Sequence, residues 1–281
     1  MSYRRTLPLA ALALALAACD AAAPVALADA DLDDAATVLA QAVALDAGGL
    51  LEEAAAGAAF AGPADGARLG HRPGCRAERA YDEAAALWTV TADCERGSPD
   101  GRFYAAFQRT STVRLLGADG QPQRERRGAV AVERDVLSGS SLVRTPRGVH
   151  ALLSLTSSLT VSDLDTDLVT VNGTVQRAAT DTLRGPRGER TLAYDLDATL
   201  ADVQGPRSAE RRWRSAVAGT ITGTLRATLT RTPADGETTT VEIDEPFTVT
   251  FPRDGAGGRV AEILLGGRRF RADVETGERA G

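Results

Sequence analysis

Val217-Ala218-Gly219-Thr220-Ile221-Thr222-Gly223-Thr224-Leu225-Arg226-Ala227-Thr228-Leu229-Thr230 is the stretch on which the fold turns. Its odd positions are Val, Gly, Ile, Gly, Leu, Ala and Leu. From Thr220 onward its even positions are Thr, with Arg at 226. A period of two is the period of a strand, because successive side chains point to opposite faces. Leu192, Tyr194, Leu196, Ala198 and Leu200 repeat the pattern against Ala193, Asp195, Asp197 and Thr199. Val241, Ile243, Phe247, Val249 and Phe251 repeat it against Thr240, Glu242, Thr248 and Thr250. One apolar face and one face of Thr and charge mark an antiparallel sheet with one wet side. These strands exceed the usual length of about 5 to 6 residues. Long strands of this kind curl around a core, and Gly219 and Gly223 let them bend. The expectation is a mainly β protein: a large curved antiparallel sheet or open barrel, built as a meander. A transmembrane barrel is disfavoured, because such barrels carry aromatic girdles and only 4% of this chain is aromatic.

Turn residues separate the strands. Pro146-Arg147-Gly148, Pro186-Arg187-Gly188 and Pro206-Arg207-Ser208 are unevenly spaced, so they read as hairpin connections and not as a solenoid repeat. Ala234-Asp235-Gly236 and Gly266-Gly267 are further turns. Asn172-Gly173 reads either as a tight hairpin turn or as a kink inside a longer strand. Tyr81 to Trp88 reads as a hairpin bend. If it centres between Ala84 and Ala85, facing residues have numbers summing to about 169. Tyr81 then faces Trp88, and Cys75 faces Cys94, close enough for a disulfide. No Cys-x-x-Cys or zinc spacing supports a redox or metal role for the pair.

Before the strands the period is helical. Leu32, Ala36, Leu39, Ala40 and Val43 share one stripe. Asp31, Asp33 and Asp34 occupy the first turn, where carboxylates favour a helix N-terminus, and Gly48-Gly49 is a stop. Leu50 to Ala59 continues as a second short helix. Its Glu52 and Glu53, with no basic residue beside them, favour packing against the body over contact with a membrane surface. The organisation reads as a signal peptide (1–18), a flexible tether (19–30), a helical segment (31–61), a Gly/Pro/Arg linker (62–74) and an antiparallel β domain (75–281).

At the N-terminus, Arg4 and Arg5 precede an uncharged Ala/Leu run from Leu7 to Ala18, broken only by Pro8. The run is shorter than the roughly 20 residues of a membrane span and reads as a signal peptide. It closes as Leu16-Ala17-Ala18-Cys19, which resembles the lipobox of bacterial lipoproteins. The resemblance covers the first two dozen residues. It implies that cleavage precedes Cys19, that the Cys19 thiol carries a diacylglyceryl group, and that the new amine is acylated with a palmitate-like chain. The partner so implied is a membrane of the bacterial cell envelope. One acyl chain holds weakly; two or three, at about 0.8 kcal/mol per buried CH₂, hold stably. Asp20 is similar to an enterobacterial inner-membrane retention signal, a rule that is not general, so the choice of inner or outer membrane stays open. The phrases Phe247-Thr248-Val249-Thr250-Phe251 and Gly266 to Gly277 are similar in style to uncharacterised β-rich envelope lipoproteins of Gram-negative bacteria, a resemblance that implies no activity.

Composition bounds the rest. The 281 residues are 43% hydrophobic and 25% charged, in keeping with a globular body. All 32 basic residues are Arg, and the net charge of −6 becomes −8 without Arg4 and Arg5. An acidic exported body argues against nucleic acid, whose phosphates need Lys and Arg. With Cys19 given to lipid, two of three cysteines remain, which suits one bridge in an oxidising compartment.

Candidate sites are weak. His71 and His150 are the only histidines, and Gly139-Ser140-Ser141 lacks the strand–turn–helix context of a nucleophile elbow, so no Ser-His-Asp catalytic set is expected. Asp163, Asp165 and Asp167 open like a calcium loop, but the sixth and twelfth positions are Leu168 and Thr174 instead of Gly and Glu. They read as the polar edge of a strand. Asp195 and Asp197 lie about 7 Å apart on one strand face, within the range of inverting glycosidases. Arg211-Arg212-Trp213-Arg214 and Arg268-Arg269-Phe270-Arg271 mix Arg with an aromatic and suit anion recognition; simple strand alternation explains them as well. No motif calls for a cofactor. The leading expectation is a non-catalytic envelope lipoprotein that binds a protein, glycan or lipid or acts structurally. The alternatives are a carrier with an apolar cavity inside a curved sheet, and a carboxylate-based hydrolase of envelope glycans.

Overall fold

Twelve strands of the described residues form one antiparallel sheet. They are β1 (Cys75–Asp82), β2 (Leu87–Gly97), β3 (Tyr104–Leu116), β4 (Pro122–Gln123), β5 (Ala131–Thr145), β6 (Gly148–Ser162), β7 (Leu168–Gly185), β8 (Gly188–Pro206), β9 (Ala218–Pro233), β10 (Thr239–Phe251), β11 (Val260–Leu265) and β12 (Arg268–Asp273). The sheet is a meander in which each strand pairs with the next, except that β4 pairs only with β3 and β3 passes on to β5. It is open, with β1 and β12 at its edges. The computed structural model describes residues 27–44, 49–61, 74–186, 188–207, 213, 218–251 and 260–280. The signal peptide, Cys19 and Asp20, most of the tether, linker residues 62–73 with His71, and Arg211, Arg212 and Arg214 lie outside the described residues.

The hairpins follow their turn chemistry. Tyr81 pairs with Trp88 and Cys75 with Cys94, so the bend centres where the sequence places it. Asp82 closes that bend, its Oδ1 accepting the amides of Ala84 at 2.8 Å and Ala85 at 3.0 Å. Leu265 pairs with Arg268 across Gly266 and Gly267, whose φ values of 55° and 77° are those of the two-residue turn that matches strand twist.

The pairing register breaks at Thr110/Ser111, Leu152/Ser154, Val171/Gly173 and Ala201/Gln204. Each break bends the strand that carries the extra residue and raises the local twist. Long strands therefore curve instead of lying flat. Asn172-Gly173 is the kink and not the turn: it sits inside the 18 residues of β7. Gly173 has φ 140°, and a Cβ there would lie 2.1 Å from the Ser158 carbonyl oxygen. Asn172 Oδ1 accepts the amide of Asp202 at 2.8 Å, satisfying a donor where the facing strand is irregular. In β5 and β6 the bulges leave Leu137 and Leu153 exposed on the outer face.

Two helices cover the inner face. The first, α1 (Asp29–Val43), packs on β9, β11 and β12; α2 (Leu50–Ala61) packs on β5, β6 and β7. A sheet with one apolar face must bury it against another layer, and the helices supply that layer. Leu39 of α1 and Leu50, Leu51 and Ala54 of α2 are fully buried. They join Leu155, Leu159, Leu196, Leu225 and Val249 in one hydrophobic cluster. Small residues let the layers meet closely: a Cβ on Gly57 would lie 2.9 Å from Val161 Cγ2. The helical segment and the strands thus share one core.

Candidate functional site

Three buried arginines interrupt the apolar alternation of the inner face. Arg109 is in phase with Val113 and Leu115, Arg134 with Val132 and Val136, and Arg177 with Val175 and Ala179. Their residues are 9%, 6% and 3% exposed. A buried cation is costly unless it is paired and hydrogen-bonded. The pairing comes from the helices. Glu53 of α2, 0% exposed, accepts from Arg109 Nη1 and, at 2.8 Å, from Arg134 Nη1. Burial lowers the Arg109 pKa; the Glu53 carboxylate opposes that fall and the Arg134 charge adds to it. Arg109 Nε is buried without a hydrogen-bond partner among the described residues.

Arg177 serves the other helix. Its Nη1 donates at 3.2 Å to the carbonyl of Ala42, in the last turn of α1. Last-turn carbonyls have no partner within their helix, and a cation is favourable there. The Arg177 guanidinium also lies 5.7 Å from the Tyr194 ring centre. Burial pushes the Tyr194 hydroxyl up to about 12, helped by the Asp181 carboxylate and opposed by Arg177.

The start of α1 is held in the same way. Arg231 reaches Asp31 at 2.5 Å and Asp34 at 2.9 Å, and Arg190 also pairs with Asp34. Burial alone would lower the Arg231 pKa, but the two carboxylates outweigh it and the net direction is up. Arg268 lies 3.0 Å from Asp29, and Arg279 in the C-terminal tail lies 3.2 Å from Asp33. In each of these pairs the acid is on a helix and the arginine is on the sheet or its tail.

His150 Nδ1 lies 2.6 Å from Asp181 Oδ1, and His150 Nε2 is buried without a partner among the described residues. Val143 is the residue opposite His150 on β5, while Ser141 is opposite Leu152. Asp181 also borders a crevice between α1 and strands β7 to β9, lined by Asp34, Thr37, Gln41 and Arg190, of about 40 Å³. That is room for water and not for a larger ligand.

The residues singled out by sequence are scattered. Cys75 and Cys94 form a disulfide. Asp163, Asp165 and Asp167 lie in the turn between β6 and β7, a correction to the strand edge expected, because Asp163 takes φ 63° and its carbonyl accepts the Thr166 amide at 3.0 Å. Among the described residues no group of three or more His, Cys, Asp or Glu is placed to hold a metal ion. Asp195 and Asp197 point outward, Asp197 to Arg226 at 3.1 Å. Trp213 is buried against Gly205. Phe270 is buried while Arg269 and Arg271 are exposed, as plain alternation requires.

The sequence reading missed the set that the fold gathers: Glu53, Arg109, Arg134 and Arg177. A signal was present, namely an arginine in the apolar phase of a strand. Chemically, the set is a carboxylate seat: two guanidiniums fixed in an apolar wall, able to take an anion by charge-assisted hydrogen bonds. Compared with protein-family models, curated proteins and solved structures, the chain matches none.

Proposed function

We propose that the protein is a lipid-anchored component of a bacterial cell envelope that works by binding and not by catalysis. The observation that carries this reading is the position of α1. It begins at Asp29, ten residues after the lipobox-like Cys19, and is embedded in the core of the body. Ten residues span at most about 35 Å, so an acylated Cys19 holds the sheet close to the bilayer. The helix is part of the body and not a spacer beneath it. Binding is favoured over glycan hydrolysis because Asp195 and Asp197, the acids a hydrolase would turn into a cleft, lie on the outer face beside Arg226.

Labelling cells with an alkyne-bearing palmitate analogue tests the anchor. The chain should take the label, its N-terminal peptide should begin at Cys19 with lipid mass, and Cys19→Ala should abolish both. A secreted, unlabelled chain with a free Cys19 thiol would sink the proposal.

A further inference from the structure

We infer that the Arg109–Arg134 seat is the head-group site for a single-chain anionic amphiphile of the fatty-acid class, and that Glu53 on α2 is its intramolecular occupant. This rests on the binding reading above and names the ligand.

Two cations are buried in an apolar wall, and both carboxylates that act on Arg109, the buried Glu53 and the half-buried Glu52, belong to α2, so the wall is left positive once α2 leaves. Apolar residues would hold a helix on a sheet at least as well as a buried ion set. Arg109 also keeps one buried donor, Nε, without a partner among the described residues. An incoming carboxylate can take the two bonds now made to Glu53. The seat lies among leucines and valines that suit an acyl chain, Val132, Val136, Leu155 and Leu159.

Shape agrees. The 12 residues of α2 are about 18 Å long, the length scale of a long-chain fatty acid. Over residues 50–59 the buried positions after Leu50 and Leu51 are Glu53, Ala54, Gly57 and Ala58. Alanine and glycine bury little apolar area, so α2 depends on Glu53 for its place more than a leucine-rich helix would. A ligand that binds only when α2 has left shifts the population by its affinity for that state alone. Its affinity therefore rises when the docking of α2 is weakened.

The test uses the secreted chain from residue 19 onward with Cys19→Ser, which keeps every described residue. The probe is a fluorescent polyene fatty acid, titrated into four proteins without detergent. The parent should bind it saturably. Glu53→Gln should bind at least tenfold tighter, because α2 no longer competes. Arg109→Gln with Arg134→Gln should bind at least tenfold more weakly than Glu53→Gln. In the fourth, Gly57→Cys with Val161→Cys locks α2 to β6, since the two side chains are within disulfide reach; oxidised, it should not bind, while Val161→Cys alone should. Absence of binding by both the parent and Glu53→Gln overturns the proposal. So does binding by the lock that equals its single-cysteine control. Displacement of the probe by an equal concentration of inorganic phosphate overturns the amphiphile assignment. The chain tested is unlipidated, so these outcomes are independent of whether Cys19 takes palmitate.

Discussion

Replacing Glu53 by Gln removes the carboxylate that bridges two buried guanidiniums while nearly keeping its volume. The residues involved are 0%, 9% and 6% exposed, so solvent does little to screen the loss. Arginine cannot shed its proton to escape. Breaking a buried ion set from one side costs about 3–5 kcal/mol, because the remaining charges stay uncompensated. The substituted side chain would still offer one amide oxygen, which places the expected cost near the lower end of that range, about 3 kcal/mol. Against a total of about 5–15 kcal/mol that is a large fraction. The decisive comparison is the triple variant Glu53→Met, Arg109→Met, Arg134→Met, which removes the charges together and should recover most of the loss. Urea unfolding followed by Trp88 and Trp213 fluorescence measures both, with far-UV circular dichroism as a second probe of helix. Non-coincident transitions in Glu53→Gln would report α2 leaving before the sheet melts. A cost below about 1 kcal/mol for Glu53→Gln, too small for a broken buried ion set, or a triple variant no more stable than the single one, would refute the reasoning.

Two further outcomes follow from other parts of the core. Tyr194 has a folded pKa near 12 against an ordinary 10; its contribution is complete below pH 10 and is lost as the pH rises through 12, because the unfolded chain ionises first. The shift corresponds to about 2–3 kcal/mol, so the parent should lose more stability between pH 9 and 11.5 than Tyr194→Phe, and equal losses would contradict the burial of the hydroxyl. Cys75 and Cys94 are 19 residues apart, which in the chain-entropy model gives about 3 kcal/mol; Cys75→Ser with Cys94→Ser should lower the urea midpoint accordingly, and hydrogen exchange should show β1 fraying first.

Much of the sheet was legible where one physical rule acted alone. In β8 and β9 the apolar phase runs unbroken from Leu192 to Leu200 and from Ile221 to Leu229, and β10 keeps it at Ile243, Phe247, Val249 and Phe251 around Glu245; the apolar residues of these runs face the core. The β1–β2 register follows from one hairpin centre and carries the disulfide with it. In β5 and β6 two rules compete. An extra residue near Leu137 and another near Leu153 exchange inner and outer faces, so a period of two counted across the strand loses its phase. The same competition hid Asp163 to Asp167, whose alternation looks like a strand but whose backbone turns. The candidate site was illegible for a different reason. Glu53 reads as half of an ordinary acidic pair, and Arg109, Arg134 and Arg177 read as outward residues until the strand phase and the helix positions are both known.

The distribution of charge between the layers explains why two such small-residue helices sit in one place. Leu32, Leu39 and Val43 of α1 and Leu50 and Leu51 of α2 anchor the helices in the core, but Ala35, Ala36, Ala40, Ala54 and Ala58 beside them are nearly interchangeable and fix rotation and sliding only loosely. Ion pairs fix both. Arg231 and Arg268 hold the start of α1, Arg177 its last turn, and Arg109 with Arg134 a single point on α2. At the start of α1 the Arg268–Asp29 and Arg279–Asp33 pairs are exposed and worth about 1 kcal/mol or less each, while Arg231 with Asp31 is partly buried. The α2 contact is buried, so it is strong while intact and abruptly lost once its single carboxylate is displaced. The two helices therefore differ in how they release: α1 loosens one pair at a time, and α2 holds or lets go as a unit. That difference puts any opening of the inner face at α2, over the strands that carry the arginines.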